Sequence, residues 1–370
     1  MQKLLWLLAL VAASLFPAPP RALAAPSHPE LRVYFFDVGQ GDAELIVSPT
    51  GKTVLIDAGP PEAQRALAAR LRQLLHAPLD LALLTHPHLD HLGGMRSALA
   101  VRGAKAFMDS GFRHPSAAYA ALLTYLSDQG IRVLNATQGR KIDLGGGAVL
   151  TLLAPPRPFF HGTRSDPNAN SVVARLTYGA RSVLFSGDAE AETEAMLVRN
   201  GGIAADVLKV PHHGSRYSST EAFLAAVKPK VAVISCGVGN DYGHPAPEAL
   251  ARLAAIGARI YRTDVNGEVD LTTDGQALNV HPARSPATAP PAGPLRVPAG
   301  PLRVKNAASH PSTARSAQAA DGYVASRHSR VFHRPDCRGA EHIKPDNRVV
   351  FSSRQAAIDS GRHPAKDCNP

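Results

Sequence analysis

No stretch constrains this chain more than Thr85-His86-Pro87-His88-Leu89-Asp90-His91-Leu92-Gly93-Gly94. Four of its ten side chains can ligate a metal, and they fall within six positions. The stretch follows an apolar run at 79–84 that reads as a buried strand. Alternate residues of an extended chain face the same way, so His86 and His88 can address one ion. The turn that follows swings Asp90 and His91 toward a second ion. Gly93 and Gly94, lacking Cβ atoms, let the backbone pack close to that centre. Imidazole and carboxylate suit zinc and neighbouring first-row metals. A lone His-x-His pair would read as surface histidines or a helix cap; the full His-x-His-x-Asp-His after a strand favours the metal reading.

Other stretches bear related chemistry. Residues 182–185 read as a strand ending at Ser186-Gly187-Asp188. A carboxylate has two oxygens, so Asp188 can bridge two ions. The alternative is that it caps the next helix, which opens with Glu190 and Glu192. A strand at 205–210 runs into Pro211-His212-His213-Gly214-Ser215, where one histidine completes the second metal position. His212 is favoured and His213 kept beside it. Lys209 is a candidate to hold an anion. Ser215, Ser218, Ser219 and Arg216 offer donors for phosphate oxygens, while Ser219 and Thr220 also suit a helix cap.

A strand at 31–36 ends in Asp37-Val38-Gly39-Gln40-Gly41-Asp42, and strands at 44–47 and 53–56 follow, the last closed by Asp57. Turn chemistry alone accounts for Asp37, Asp42 and Asp57 as the plainer alternative. A helix at 61–75 puts Leu67, Leu71, Leu74 and Leu75 on one face. Strand-helix-strand alternation around the histidine stretch predicts an α/β fold. Residues 260–263 and 267–272 read as a closing hairpin around Asp264-Val265-Asn266-Gly267.

Five ordered motifs carry a family resemblance: Asp37 to Asp42, the histidine stretch, Phe185-Ser186-Gly187-Asp188, Lys209-Val210-Pro211-His212-His213-Gly214-Ser215, and Tyr242-Gly243-His244-Pro245. Together the stretch 31–280 resembles the metallo-β-lactamase-fold hydrolases, and among them the hydrolase domain of ComEC-type DNA-uptake proteins. No stretch here corresponds to the membrane channel of that family. The resemblance implies a four-layer αββα sandwich and two divalent ions, zinc foremost and manganese as the alternative. The implied metal set is His86, His88, Asp90, His91, Asp188 and His212 or His213. It implies that Asp37 and Asp57 steady ligand histidines from behind, with Asp42 divided between that role and the turn, and that Asn170 and Ser215 support the site. Asn170 stands where many relatives carry a third histidine ligand, and His161 is a candidate substitute. It implies further that His244 approaches the scissile phosphoryl group. Asp90 or Asp188 would accept a proton from water, with Lys209 and His244 beside the developing charge.

Residues 1–24 read as a secretory signal: Lys3, an apolar core at 4–16, then Ala22-Leu23-Ala24. Export to periplasm or medium is expected, an uncleaved anchor being the alternative. That core is short for a membrane span, and no later stretch is long and apolar enough for one. Residues 281–320, rich in Pro, Ala, Ser and basic residues, read as a linker that cannot fold alone. Residues 322–370 resemble the zinc-binding module of the Ada DNA-repair protein, through 332–337 and 364–370. The matching positions are His333, Cys337, Ala365 and Cys368. Either His333, Cys337 and Cys368 hold a further zinc with help from His363 or Asp367, or Cys337 and Cys368 form a disulfide after export. With only Cys236 besides, the chain carries no disulfide framework.

A formal net charge of +10 favours anionic partners. The functional expectation is an exported metal-dependent phosphodiesterase acting on DNA or RNA. The alternatives are an exported hydrolase of phosphocholine esters, lactones or lactams, and a DNA-binding protein with a decayed site. Trp6, inside the signal, is the sole tryptophan, which excludes a tryptophan cage for choline and leaves tyrosine-based ones. Oligomeric state stays open.

Overall fold

A computed structural model of the chain describes residues 29–284, 323–327, 329–334, 340, 343–344, 347–351 and 354–365. Two sheets dominate. The eight-stranded one runs, in spatial order with strands numbered along the chain, β15 (Leu278–Pro282), β14 (Val269–Thr273), β1 (Leu31–Phe35), β2 (Glu44–Val47), β3 (Thr53–Ile56), β4 (Leu81–Leu83), β5 (Ala106–Asp109) and β6 (Arg132–Asn135). The seven-stranded one runs β13 (Arg259–Arg262), β12 (Val231–Ile234), β11 (Val207–Lys209), β10 (Arg181–Phe185), β9 (Val173–Tyr178), β8 (Ala148–Ala154) and β7 (Lys141–Gly145). Each sheet is antiparallel on one side and parallel on the other: β3 to β6 in the first, β10 to β13 in the second.

Period-two alternation explains the layering. Val33 and Phe35 of β1, Val54 and Ile56 of β3, and Leu81 and Leu83 of β4 point inward. They meet Leu150, Leu176, Phe185 and Val233 from the second sheet in one buried core. Phe35 and Phe185 stack across the interface with ring centroids 6.2 Å apart. The opposite set, including Tyr34, Leu55 and Ala82, faces outward and lies under helices Gln64–Leu74, Met95–Arg102 and Ala117–Asp128. On the second sheet Leu184, Leu208 and Ala232 do the same under helices Ala191–Asn200, Glu221–Val227 and Pro247–Ala255. The result is the four-layer αββα sandwich. Strands buried on both faces read as continuous apolar runs, which is why β4 and β12 show no alternation in sequence.

Helix limits follow local chemistry. Thr220 caps Glu221–Val227 by accepting the Phe223 N–H. Pro61 opens a 3-10 turn that leads into Gln64–Leu74, which buries Leu67 and Leu71 as its spacing requires.

The expected hairpin at 260–272 is not formed. β13 pairs in parallel with β12 in the second sheet, whereas β14 pairs with β1 in the first. Residues Thr263–Asn266 form one helical turn that carries the chain from one sheet to the other. A turn sequence between two strands marks the reversal but not the partner of either strand. The sandwich also runs past the expected linker start, because β15 reaches Pro282 and pairs along its length with β14. Residues 1–28 and 285–322, where a signal and most of a linker are expected, lie outside the described residues. Among the described residues no helix is long and apolar enough to cross a membrane.

Residues 323–365 contribute a four-stranded sheet of β18 (Arg348–Phe351), β16 (Tyr323–Ser326), β17 (Val331–His333) and β19 (His363–Pro364), with helix Arg354–Asp359 between β18 and β19. Ala325, Phe332 and Ala357 form its small core. His333 lies on β17; Cys337 and Cys368 fall outside the described residues, so neither the zinc nor the disulfide reading is placed.

Candidate metal centre

The ligand-type residues converge where the parallel halves of the two sheets end. Open α/β sheets expose their crevices at the carboxyl ends of strands. Asp57 follows β3, the histidine stretch follows β4, Asp188 follows β10, and His212 and His213 follow β11. Backbone bonds tie these loops together. Asp42 N–H reaches Asp90 O (3.2 Å), Ala58 N–H reaches His91 O (2.7 Å), and His212 N–H reaches Gly187 O (3.1 Å). The close packing expected of the glycines is present: a Cβ on Gly94 would stand 2.1 Å from Ala58 O, and one on Gly41 would stand 2.2 Å from Asp90 O.

Asp90, His91, Asp188 and His213 form one cluster whose ligand atoms all lie within 4.8 Å of one another. Asp188 Oδ1 is 3.4 Å from His91 Nε2 and 3.6 Å from His213 Nε2. Its other oxygen, Oδ2, is 3.8 Å from His86 Nε2 and 3.7 Å from His212 Nε2. His86 Nε2 and His88 Nδ1 are 3.0 Å apart. The carboxylate therefore faces two imidazole sets with its two oxygens. His213, not the favoured His212, joins the cluster. Both sit in the left-handed region, φ 51° and 52°. That paired turn points their rings apart, which no spacing rule predicts. His212 stands at the edge, between Asp188 and Glu190 (Nδ1–Oε1 3.5 Å).

Each inner histidine is held from behind. Asp57 accepts the Thr85 N–H and the Thr85 hydroxyl, both at 2.7 Å, and lies 2.7 Å from His91 Nδ1. His213 Nδ1 lies 3.0 Å from Ser235 O and 3.1 Å from Asp42 Oδ1. Thr85 Oγ1 lies 3.1 Å from His86 Nδ1. Such contacts fix which nitrogen turns inward.

Three residues that the resemblance cast as supports make other contacts. Asp37 is exposed and ion-pairs with Arg284 at 2.9 Å. Asn170 is buried, but its amide closes the preceding loop: Oδ1 accepts Phe160 N–H, and Nδ2 donates to Phe160 O and Asp166 O. Asn168, two residues earlier, is the amide that reaches the site, 3.4 Å from His212 Nε2. Ser215 donates its N–H to His212 O and accepts the Tyr217 N–H at its own Oγ, so it shapes the turn. Lys209 is no anion holder either. It is 1% exposed, with Nζ 2.7 Å from Asp42 Oδ2 and donating to Val210 O. His161 is exposed and faces Asp166.

His244 lines the opening, its ring 5.6 Å from His212 and 5.7 Å from Tyr242. Its Nδ1 is buried without a hydrogen-bond partner. Sequence reasoning missed Thr85, Asn168 and buried Glu190 as parts of the site. Glu190 was legible only as a helix N-terminal acid. Its place two residues after Asp188 was the available signal.

The electrostatics favour a cation. Burial alone would raise the Asp90 and Asp188 carboxyls, but His91 and His213 outweigh it and hold both below the usual range. Burial would lower His213, yet Asp188 and Asp42 push it up to about 10. His91 is likewise raised against burial by Asp188, Asp90 and Asp57. His88 and His244 are driven down to about 3, chiefly by burial, and so stay neutral. Asp90 Oδ1, His91 Nε2 and Asp188 Oδ1 are buried without hydrogen-bond partners. Ligand-type atoms left unpaired around one point, under a surplus of carboxylate charge, fit divalent metal ions.

Comparison with known proteins agrees with this geometry. Residues 36–238 match the model of the metallo-beta-lactamase superfamily. The chain is 30% identical over 260 residues to ComE operon protein 3 of Bacillus subtilis, covering 65% of this chain and 33% of that one. It is 31% identical over 264 residues to Recombination protein 2 of Haemophilus influenzae, covering 70% and 31%. It is 28% identical over 250 residues to Competence protein ComA of Neisseria gonorrhoeae, covering 67% and 33%. The aligned part thus spans about a third of each of these relatives. With its sandwich, its histidine-aspartate cluster and this match, the chain belongs to the metallo-β-lactamase superfamily.

Proposed function

We propose that the chain is an exported, metal-dependent phosphodiesterase that cleaves nucleic acid. The observation that carries the hydrolytic reading is Asp188, whose two carboxylate oxygens face separate imidazole sets. His86, His88 and Asp188 would hold one divalent ion, and Asp90, His91, His213 and Asp188 the other. Ions so held supply Lewis acidity that brings a water's pKa toward neutrality and offsets charge on a phosphoryl group.

The chain's own residues supply the rest. Asp90, with its side chain 19% exposed, is the most open member of its cluster. It is the carboxylate placed to take the proton of an entering water. His244, kept neutral, orients a phosphoryl oxygen through a ring N–H and adds no charge. The buried Lys209–Asp42 pair fixes the carboxylate that meets His213 from behind.

Nucleic acid as the substrate draws on three supports. The relatives are named for competence and recombination. The net charge is +10. The exposed Tyr217, close in sequence to His213, carries a stacked arginine, Arg164, 3.5 Å from its ring centroid. A ring so placed suits base stacking on its other face, and the arginine suits the backbone.

The test is a substrate panel with Zn²⁺ or Mn²⁺: single- and double-stranded DNA, RNA, a bis-aryl phosphodiester, a lactam, a lactone and a phosphocholine ester. Cleavage of the phosphodiesters, abolished by His88→Ala, is expected. Turnover confined to the lactam, lactone or phosphocholine ester would refute the substrate class. Amino-terminal sequencing of the exported protein, expected to start at Ala25, tests the signal.

A further inference from the structure

Helix Arg354–Asp359, far along the chain, lies at the rim of the metal centre. Asp359 Oδ2 is 3.9 Å from His88 Nε2 and 3.7 Å from His114 Nε2. His88 turns its other nitrogen, Nδ1, toward His86. The Asp359 carboxylate thus stands behind His88, as Asp57 stands behind His91 and Asp42 behind His213. It is also tethered. Gln355 Nε2 donates to Asp359 Oδ1 at 3.0 Å, and Tyr242 Oη lies 3.4 Å from Gln355 Oε1. Tyr242 in turn stacks on His244. One helical turn therefore touches both flanks of the opening: the His88 side through Asp359, and the Tyr242–His244 loop through Gln355 and Arg354.

We propose that Asp359 is a positioning residue of the metal centre, and that the C-terminal sheet docks across the rim to deliver it. The inference rests on the metal-centre reading above. Among the described residues of the core, His91 and His213 have a carboxylate or carbonyl behind the outer nitrogen and His86 has the Thr85 hydroxyl, whereas the neighbour of His88 there is His114, whose ring centroid is 5.8 Å away. A ligand imidazole with a carboxylate behind it keeps its inward lone pair on the metal side, and loss of such a partner typically weakens metal binding 10–100-fold. Docking would thereby couple the C-terminal sheet to occupancy of the His86–His88 position. The 3.7–3.9 Å separations exceed direct hydrogen bonds, so a bridging water or a small rotamer change completes the contact.

The experiment is a Co²⁺ titration of the full chain against a competing chelator, with absorption spectra for each site. Wild type, Asp359→Ala and Asp359→Asn are compared at matched thermal unfolding midpoints. Two Co²⁺ per wild-type chain are expected. In Asp359→Ala one site, that of His86 and His88, should lose affinity roughly 10–100-fold, with an altered ligand-field band, and the other should be unchanged. Asp359→Asn, which retains an acceptor oxygen, should recover part of the loss. Equal affinities and spectra in all three proteins would overturn the proposal. So would equal weakening of both sites, which marks a merely structural residue, or a third Co²⁺ lost with Asp359, which marks a separate site with His88 and His114. If wild type bound no Co²⁺, the metal-centre reading itself would fail, a separate outcome.

Discussion

Replacing Lys209 with Met separates two roles for this residue. If it held a substrate anion, Lys209→Met would leave folding intact and raise KM for a phosphodiester. Its position argues otherwise. The ammonium is 1% exposed, 2.7 Å from Asp42 Oδ2, and bonded to Val210 O. Methionine nearly matches its volume, so little cavity forms, but Asp42 keeps a buried charge without its cation. Breaking a buried pair from one side typically costs about 3–5 kcal/mol. For a domain of this size that lowers the unfolding midpoint by roughly 6–20 °C. Calorimetry of wild type, Lys209→Met, Asp42→Asn and the double variant provides the assay. The double variant should lose clearly less than the sum of the singles, because no lone charge remains. An unfolding midpoint within a degree of wild type, with KM raised, would refute the buried-pair reading.

His213→Ala should lose the ion held with Asp90, His91 and Asp188 and keep the one at His86 and His88, whereas His212→Ala should retain both; elemental analysis after dialysis distinguishes them, and the reverse order would contradict the cluster. Gly94→Ala should destabilise by about 1–3 kcal/mol, since the new Cβ meets Ala58 O; an unchanged denaturant midpoint would count against the close loop packing. Metal affinity should rise with pH. Burial opposes it, but the surrounding carboxylates raise His91 and push His213 up to about 10. Both must release a proton on ligation, so uptake releases protons. Calorimetric titration in buffers of different ionisation enthalpy should show that release, and none would contradict the charge balance.

The clustering of the candidate ligands was legible because their chemistry is local. His86, His88, Asp90 and His91 follow one strand and need only its period and one turn to converge. Asp57 and Asp188 each end a strand of the parallel halves, and an acid at the carboxyl end of such a strand is marked by its chain position alone. What the sequence could not carry was backbone hand and long-range partnership. The left-handed pair at His212 and His213 decides which ring enters the cluster, and two adjacent histidines carry no mark of it. Lys209 shows the same limit: a basic residue beside a ligand motif reads as an anion holder until Asp42 is known to meet it. Asn170 sits at the right chain position, yet its amide is occupied by Phe160 and Asp166. The 260–272 turn misled because local turn chemistry is silent about which sheet each strand joins. Asp359 was beyond reach, since no pattern ties a residue so late in the chain to His88.

The proposed chemistry depends most on two ions flanking Asp188. Anomalous scattering at the absorption edges of zinc and manganese, from crystals of the full chain, measures this directly. Two peaks are predicted on opposite sides of the Asp188 carboxylate, one against Asp90, His91 and His213, the other against His86 and His88. A single peak remote from Asp188, or no peak in protein purified without chelators and supplied with metal, would contradict it.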